Sequence, residues 1–120
     1  MIKLFMPIGD SPEEIRAAVL GLAAVSLVQM RAKRFPRLYA AGIRYKREPR
    51  NREQWQTAAL TLRLRTGDCE DLAAYRLAEL HRLGETGATI AVKVVRPELR
   101  HILVRRASGV IEDPSKRLGM

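Results

Sequence analysis

The hydrophobic period of this chain changes part-way along, and that change constrains the fold more than any other feature. Up to about residue 83 the apolar residues recur at helical spacing; from residue 88 they alternate. Residues 88–96 (ATIAVKVVR) and 99–106 (LRHILVRR) are rich in β-branched residues and read as strands, with a turn at Arg96-Pro97-Glu98. Ser108-Gly109 marks a second turn, into a short strand at Val110 to Glu112. Helices followed by an antiparallel meander make an α+β domain, with N-terminal helices packed on a small antiparallel sheet. The 120 residues, 47% of them hydrophobic, suit one globular unit.

Within the helical part, residues 1–8 read as a short strand broken by Gly9-Asp10. Ser11-Pro12-Glu13-Glu14 then has the form of a helix start, with Ser11 as N-cap, Pro12 in the first helical position and Glu14 placed to close a capping box. This helix should run to about Ala32. It is apolar nearly all round, so cover on more than one side is expected. Residues 33–53 are basic and broken by Pro36, Gly42 and Pro49, with an extended piece around Ala40 to Tyr45; residues 54–64 suggest a short helix ending at Arg65-Thr66-Gly67. Asp68 to Leu83 is the clearest helix. Asp68 is a good N-cap, Glu70 and Asp71 favour the first turn, Leu72, Ala73, Leu77 and Leu80 form a stripe, and Gly84 follows as a C-cap.

The net charge is +9, with 22 Lys and Arg against 13 Asp and Glu. Such an excess favours polyanions: nucleic acid, acidic protein surfaces or anionic lipid. The basic residues are scattered, however, and no recognisable nucleic-acid motif accompanies them. One cysteine excludes an internal disulfide and fits a cytoplasmic protein. The apolar run Ala17 to Val28 falls short of the ~20 residues that span a bilayer, and acids rather than bases precede it, so a buried helix is expected and no membrane partner. One Cys and two His lack metal-ligand spacing, so neither a metal nor a cofactor is expected.

Three polar residues fall at informative places. Cys69 opens the best helix, where the N-terminal dipole favours thiolate; Glu70 and Asp71 beside it oppose that unless a cation compensates. His101 lies in the strand 99–106 and shares a face with Leu103 and Arg105. Asp113 follows the last hairpin, and parity tests it. A two-residue turn puts Asp113 opposite Val104, away from His101. A three-residue loop, Ala107-Ser108-Gly109 with Gly109 left-handed, puts it opposite Leu103, on the face of His101. Together these give a thiol nucleophile on a helix start, with a base and its orienting carboxylate on adjacent strands. His81, about three turns from Cys69, is assigned no role.

Gly67-Asp68-Cys69-Glu70-Asp71-Leu72-Ala73 resembles the nucleophile motif of the bacterial transglutaminase-like cysteine proteinases. Trp55-Gln56-Thr57 and Leu60-Thr61-Leu62 upstream, His101 on a strand, and Ile111-Glu112-Asp113-Pro114-Ser115 with Leu118-Gly119-Met120 downstream are similar to a small version found among tailed-phage and prophage proteins. The resemblance covers residues 54–120, leaving residues 1–53 as an N-terminal extension within one domain of 1–120. It implies a papain/transglutaminase-like core and acyl transfer on protein or peptide amides, with Cys69 as nucleophile, His101 as base and Asp113 as orienter. Water as acceptor would give peptidase or deamidase action, and an amine would give crosslinking. The Cys69 backbone N–H, Gln54 and Gln56 are the oxyanion-donor candidates, and Trp55 is a candidate to line the cleft. It also implies an alternative: a virion structural or head–tail assembly protein that keeps the fold, partnered by phage structural proteins and virion-associated. The chain departs from the pattern in having no calcium-binding loop and in carrying Arg65-Thr66 where a second glycine is typical.

Overall fold

A computed structural model of the chain describes residues 3–4, 11–48, 54–96 and 99–120. These form a mixed α+β structure with four helices and three small sheets. In chain order the elements are β1 (Lys3–Leu4), α1 (Pro12–Ala32), a 3-10 turn (Leu38–Ala40), β2 (Arg44–Tyr45), β3 (Trp55–Gln56), α2 (Ala58–Leu64), β4 (Thr66–Gly67), α3 (Cys69–Arg82), β5 (Thr89–Arg96), β6 (Leu99–Arg105), β7 (Ile111–Glu112) and α4 (Pro114–Arg117). The expected break at Gly9-Asp10 and the turn residues Pro97 and Glu98 lie outside the described residues, as do residues 49–53.

Local chemistry sets the helix ends. Ser11 Oγ accepts the Glu14 N–H at 3.1 Å, and Pro12 opens α1. Asp68 caps α3, and Asp71 closes a capping box by accepting the Asp68 N–H at 3.0 Å. The last residues of α3 turn through Gly84, whose φ of 97° is left-handed. At the end of α2 that conformation falls instead on Arg65, at φ 60°. No side chain of its own caps α2. Two α1 residues do this: Ser26 Oγ and Gln29 Oε1 accept the N–H groups of Ala58 and Ala59, each at 2.9 Å. Ser26 therefore interrupts the apolar run because α2 needs a buried acceptor there. The segment expected as one helix from 54 starts as the strand β3 and becomes helical only at Ala58.

The largest sheet is antiparallel in the order β5-β6-β7. Val104 faces Glu112 and Arg105 faces Ile111, which is the register of the three-residue loop. Gly109 sits there at φ 93°, and its N–H donates to Arg106 O at 2.8 Å. The other sheets are two-stranded: β1 pairs β3 antiparallel, and β2 pairs β4 in parallel.

Helix α3 is the centre of the molecule. It packs against α1, α2, α4, the 3-10 turn and β6, and every residue from Cys69 to Leu80 is buried except Arg76. The cover expected around α1 is found instead around α3. Ile15, Val19, Leu22, Ala23, Ser26 and Met30 of α1 are buried, while Ala17, Gly21, Ala24 and Val28 face outward, Val28 with 65% of its surface exposed. Small side chains make the outer face of α1 look apolar without being covered. By length and composition α1 could cross a membrane; its inner face packs on α3 and β5. One core cluster joins Val19, Leu22, Leu77, Ile90, Ile102 and Val104, and a second joins Met30, Leu38, Ile43, Leu72 and Tyr75.

Candidate active site

The β6–β7 register decides where Asp113 goes. With Val104 opposite Glu112, the next step puts Asp113 opposite Leu103, on the same sheet face as His101. The two side chains meet: His101 Nε2 lies 2.9 Å from Asp113 Oδ2. A carboxylate only accepts hydrogen bonds, so Nε2 is the donor in this contact, and in a neutral imidazole Nδ1 is then the acceptor nitrogen. The other Asp113 oxygen accepts the Lys116 N–H at 3.1 Å, because Asp113 also caps the single turn α4. The carboxylate thus serves two partners, Oδ2 for His101 and Oδ1 for the turn that opens α4.

Arg76 fixes the strand end that carries this pair. It lies seven residues after Cys69, two turns along α3. Its Nε and Nη2 reach the two Glu112 oxygens at 2.6 and 3.3 Å, and its Nη1 reaches Glu79 at 2.6 Å. Arg106 adds a contact to Glu112 at 3.1 Å and pairs with Glu85 at 2.7 Å, while Tyr39 donates its hydroxyl to Glu112. Burial alone would raise the Glu112 pKa, but the hydrogen bonds from Arg76 and Tyr39 and the neighbouring guanidiniums bring it below the usual range. The residue next to Asp113 is thus anchored to the helix that begins with Cys69.

Cys69 is 9% exposed. Its Sγ–H donates to Glu70 Oε2 at 3.2 Å. Burial, first, then the Glu70 and Asp68 carboxylates push the thiol pKa well above its ordinary value; the backbone N–H of Ile102 opposes them by donating to the sulfur. Ile102 follows His101 directly in β6, so the thiol touches the strand that carries the imidazole. The structure brings His101 and Asp113 into contact, and it places the thiol hydrogen bond on Glu70. No family model, curated protein or solved structure matches the chain. The site therefore stands on its own geometry.

The upstream candidates divide. Gln56 is buried, and its side-chain Nε2 donates to Thr66 O at 2.9 Å and to Thr61 Oγ1 at 3.2 Å, which occupies both amide hydrogens. Its own N–H goes to Asp71 Oδ1 at 2.7 Å. As an oxyanion donor Gln56 is corrected to a structural residue that fastens β3 to β4 and α3. The Cys69 N–H is likewise engaged, by Asp68 Oδ1 at 2.7 Å. Gln54 is half-buried, and its backbone N–H donates to Glu48 at 2.9 Å. Trp55 is 3% exposed and belongs to the core cluster that includes Cys69. His81 bonds Ala88 O at 2.8 Å, a structural contact.

Asp68, Cys69 and Glu70 present ligand-type atoms within 4.8 Å of one another, all buried. Their closeness already has an internal account: Asp68 accepts the N–H groups of Cys69 and Glu48, and Glu70 accepts the thiol proton. The sequence signal for these partners was weak. Ile102 and Tyr45 reach the thiol region only through tertiary packing; Tyr45 is pushed up to about 12 by burial and by the Asp68 and Cys69 side chains.

Proposed function

We propose that the chain is a cysteine-dependent acyl-transfer enzyme acting on protein or peptide amides, built on a papain/transglutaminase-like core. The observation that carries this reading is the His101 Nε2 to Asp113 Oδ2 contact at 2.9 Å, on a strand whose next N–H meets the Cys69 thiol. A helix start bearing a cysteine, packed against a strand bearing a histidine–carboxylate pair, is the arrangement that nucleophilic thiol chemistry needs.

The chemistry follows from the free nitrogen. His101 Nδ1 takes the proton from Cys69 Sγ, and the sulfur attacks the carbonyl carbon of a bound amide. The tetrahedral oxyanion collapses, the C–N bond breaks, and the leaving amine or ammonia takes the proton back from Nδ1. The resulting thioester is opened by water, giving an acid, or by an amine, giving a new amide. Asp113 holds the tautomer and supports the imidazolium. Before this, the thiol must leave Glu70 for the imidazole, so the structure corresponds to a resting state.

Iodoacetamide alkylation of Cys69 across pH, in wild type, His101→Ala and Asp113→Asn, tests the pairing. Wild type should react faster than His101→Ala near neutrality by about 100-fold or more, with Asp113→Asn intermediate. Glutamine-containing peptides, followed by mass spectrometry with and without an added primary amine, then distinguish hydrolysis, deamidation and crosslinking. Equal alkylation rates in wild type and His101→Ala at every pH would sink the reading.

A further inference from the structure

We propose that the exposed basic ridge of Arg44, Lys46, Arg47 and Arg65 docks an acidic segment of the protein substrate beside Cys69. This rests on the acyl-transfer reading and adds a substrate class to it.

The sequence supplies the charge. From Ile15 to Arg47 there is no Asp or Glu, while eight Lys or Arg occur. The fold then brings one end of that stretch to the site. Strand β2 runs parallel to β4, with Arg44 opposite Thr66 and Tyr45 opposite Gly67. The Arg44 N–H donates to Arg65 O and the Lys46 N–H to Gly67 O, each at 2.9 Å, and the Glu48 N–H reaches Asp68 Oδ2 at 3.1 Å. Residues 44–48 therefore track the chain that leads into Cys69. Side chains alternate along β2. Tyr45 turns inward and interacts with Asp68 and Cys69. Arg44 and Lys46, on either side of it, turn outward and are exposed, as are Arg47 and Arg65.

Among the described residues no carboxylate pairs with these charges. The ion pairs among the described residues use Arg76, Arg106 and His101, and none uses the ridge. Two carboxylates on the same segments serve the fold: Asp68 is buried and accepts the Cys69 and Glu48 N–H groups, and Glu48 accepts the Gln54 N–H. The Arg65 side chain donates Nη1 to Ala41 O at 2.8 Å, which holds it in place, and among the described residues it joins no ion pair.

Two features favour an acidic peptide over nucleic acid. Single-stranded nucleic acid wants free aromatic faces, but Tyr39 is covered by the Arg117 guanidinium 3.9 Å from its ring centre, and Tyr45 faces inward. The run Arg44 to Arg47 is also short, roughly 13 Å at strand spacing. That matches a few residues of extended peptide ending at the thiol, where a nucleic-acid backbone would need a longer track.

The test uses the full chain. Fluorescent peptides of one backbone, Glu-rich or Lys-rich, and a DNA duplex are titrated by anisotropy at several salt concentrations. Proteins compared are wild type, Arg44→Glu/Lys46→Glu, and the control Lys33→Glu/Arg34→Glu, whose sites are also exposed. The Glu-rich peptide should bind wild type, weaken about tenfold in the ridge variant, and stay near wild type in the control. It should also slow Cys69 alkylation in wild type and not in the ridge variant. No binding, an equal loss in both variants, or a preference for the duplex over the Glu-rich peptide would each overturn the proposal. His101-dependent alkylation, measured without peptide in the same proteins, tests the acyl-transfer reading separately.

Discussion

At Cys69, opposing influences act on one sulfur. The Ile102 N–H favours thiolate, while burial, the Glu70 and Asp68 charges and the hydrogen bond to Glu70 favour thiol, and the second set wins. Glu70 is the member that accepts the thiol proton directly. Glu70→Gln keeps the size and an acceptor oxygen but removes the charge, so the thiol pKa should fall toward its ordinary value. Each unit of fall near neutrality raises the thiolate fraction about tenfold, and iodoacetamide alkylation at fixed pH reads it directly. An unchanged rate would mean that burial and Asp68 set the thiol without Glu70. The sequence made this conflict visible, since two acids follow the cysteine. It could not show that Glu70 points at the sulfur while Asp71 turns back to the Asp68 and Gln56 N–H groups. Gln56 was misread for the same reason: a side-chain amide looks free until the two acceptors that close on it, Thr61 and Thr66, are placed by folding.

Between elements, two joints hold the site together. The first is the β6–β7 loop. Gly109 at φ 93° has open space around a would-be Cβ, so an alanine there meets only backbone strain. Gly109→Ala should cost about 1–2 kcal/mol, seen as a lower Tm, and should loosen the His101–Asp113 contact, seen as a moved imidazole NMR signal at fixed pH. An unmoved Tm and signal would show that the loop does not set the register. The second joint is Arg76. Arg76→Met leaves Glu79 and Glu112 short of a buried partner, while Arg106 still holds one Glu112 oxygen. The expected loss is about 2 kcal/mol, under the full cost of breaking a buried pair, by denaturant unfolding. The hairpin register was legible because a strand has period two and a glycine marks the left-handed position. The ranking of α1 and α3 was not. Periodicity reports which face of a helix is apolar, whereas cover depends on neighbours. Three polar residues of α3 that lowered its apparent hydrophobicity are buried with partners from outside the helix: Asp71 accepts the Gln56 N–H at 2.7 Å, Glu79 accepts the Leu38 N–H at 2.8 Å, and the Tyr75 hydroxyl donates to Pro36 O at 2.7 Å.

For the molecule as a whole, the same carboxylates set the response to acid. Glu112 lies below its ordinary range, because the hydrogen bonds and charges of Arg76, Tyr39 and Arg106 outweigh its burial, and Glu85 is lowered to about 2, chiefly by its hydrogen bonds from Arg106. A carboxylate whose folded pKa is depressed contributes stability above its unfolded pKa and loses it as pH falls through the folded value. Both groups therefore support the fold above their ordinary pKa, and their contribution drains away as pH falls below it, for Glu85 through about 2. Asp71 acts oppositely: burial and the Glu70 charge raise it despite two N–H donors, so its protonated form favours the folded state in acid and partly offsets the loss. On the alkaline side Tyr45, held up near 12, contributes below its ordinary pKa of 10 and loses that contribution as pH climbs through the folded value. The acid limb is the one a single substitution can isolate. Glu112→Gln should lower Tm at pH 7, where the ion pairs are intact in wild type, and the gap between the two proteins should narrow as pH falls below the ordinary carboxylate range. A Tm gap that stays constant from pH 7 to 3 would assign Glu112 a packing role and remove the Arg76–Glu112–Arg106 charges from the account of how α3 holds the His101–Asp113 strand.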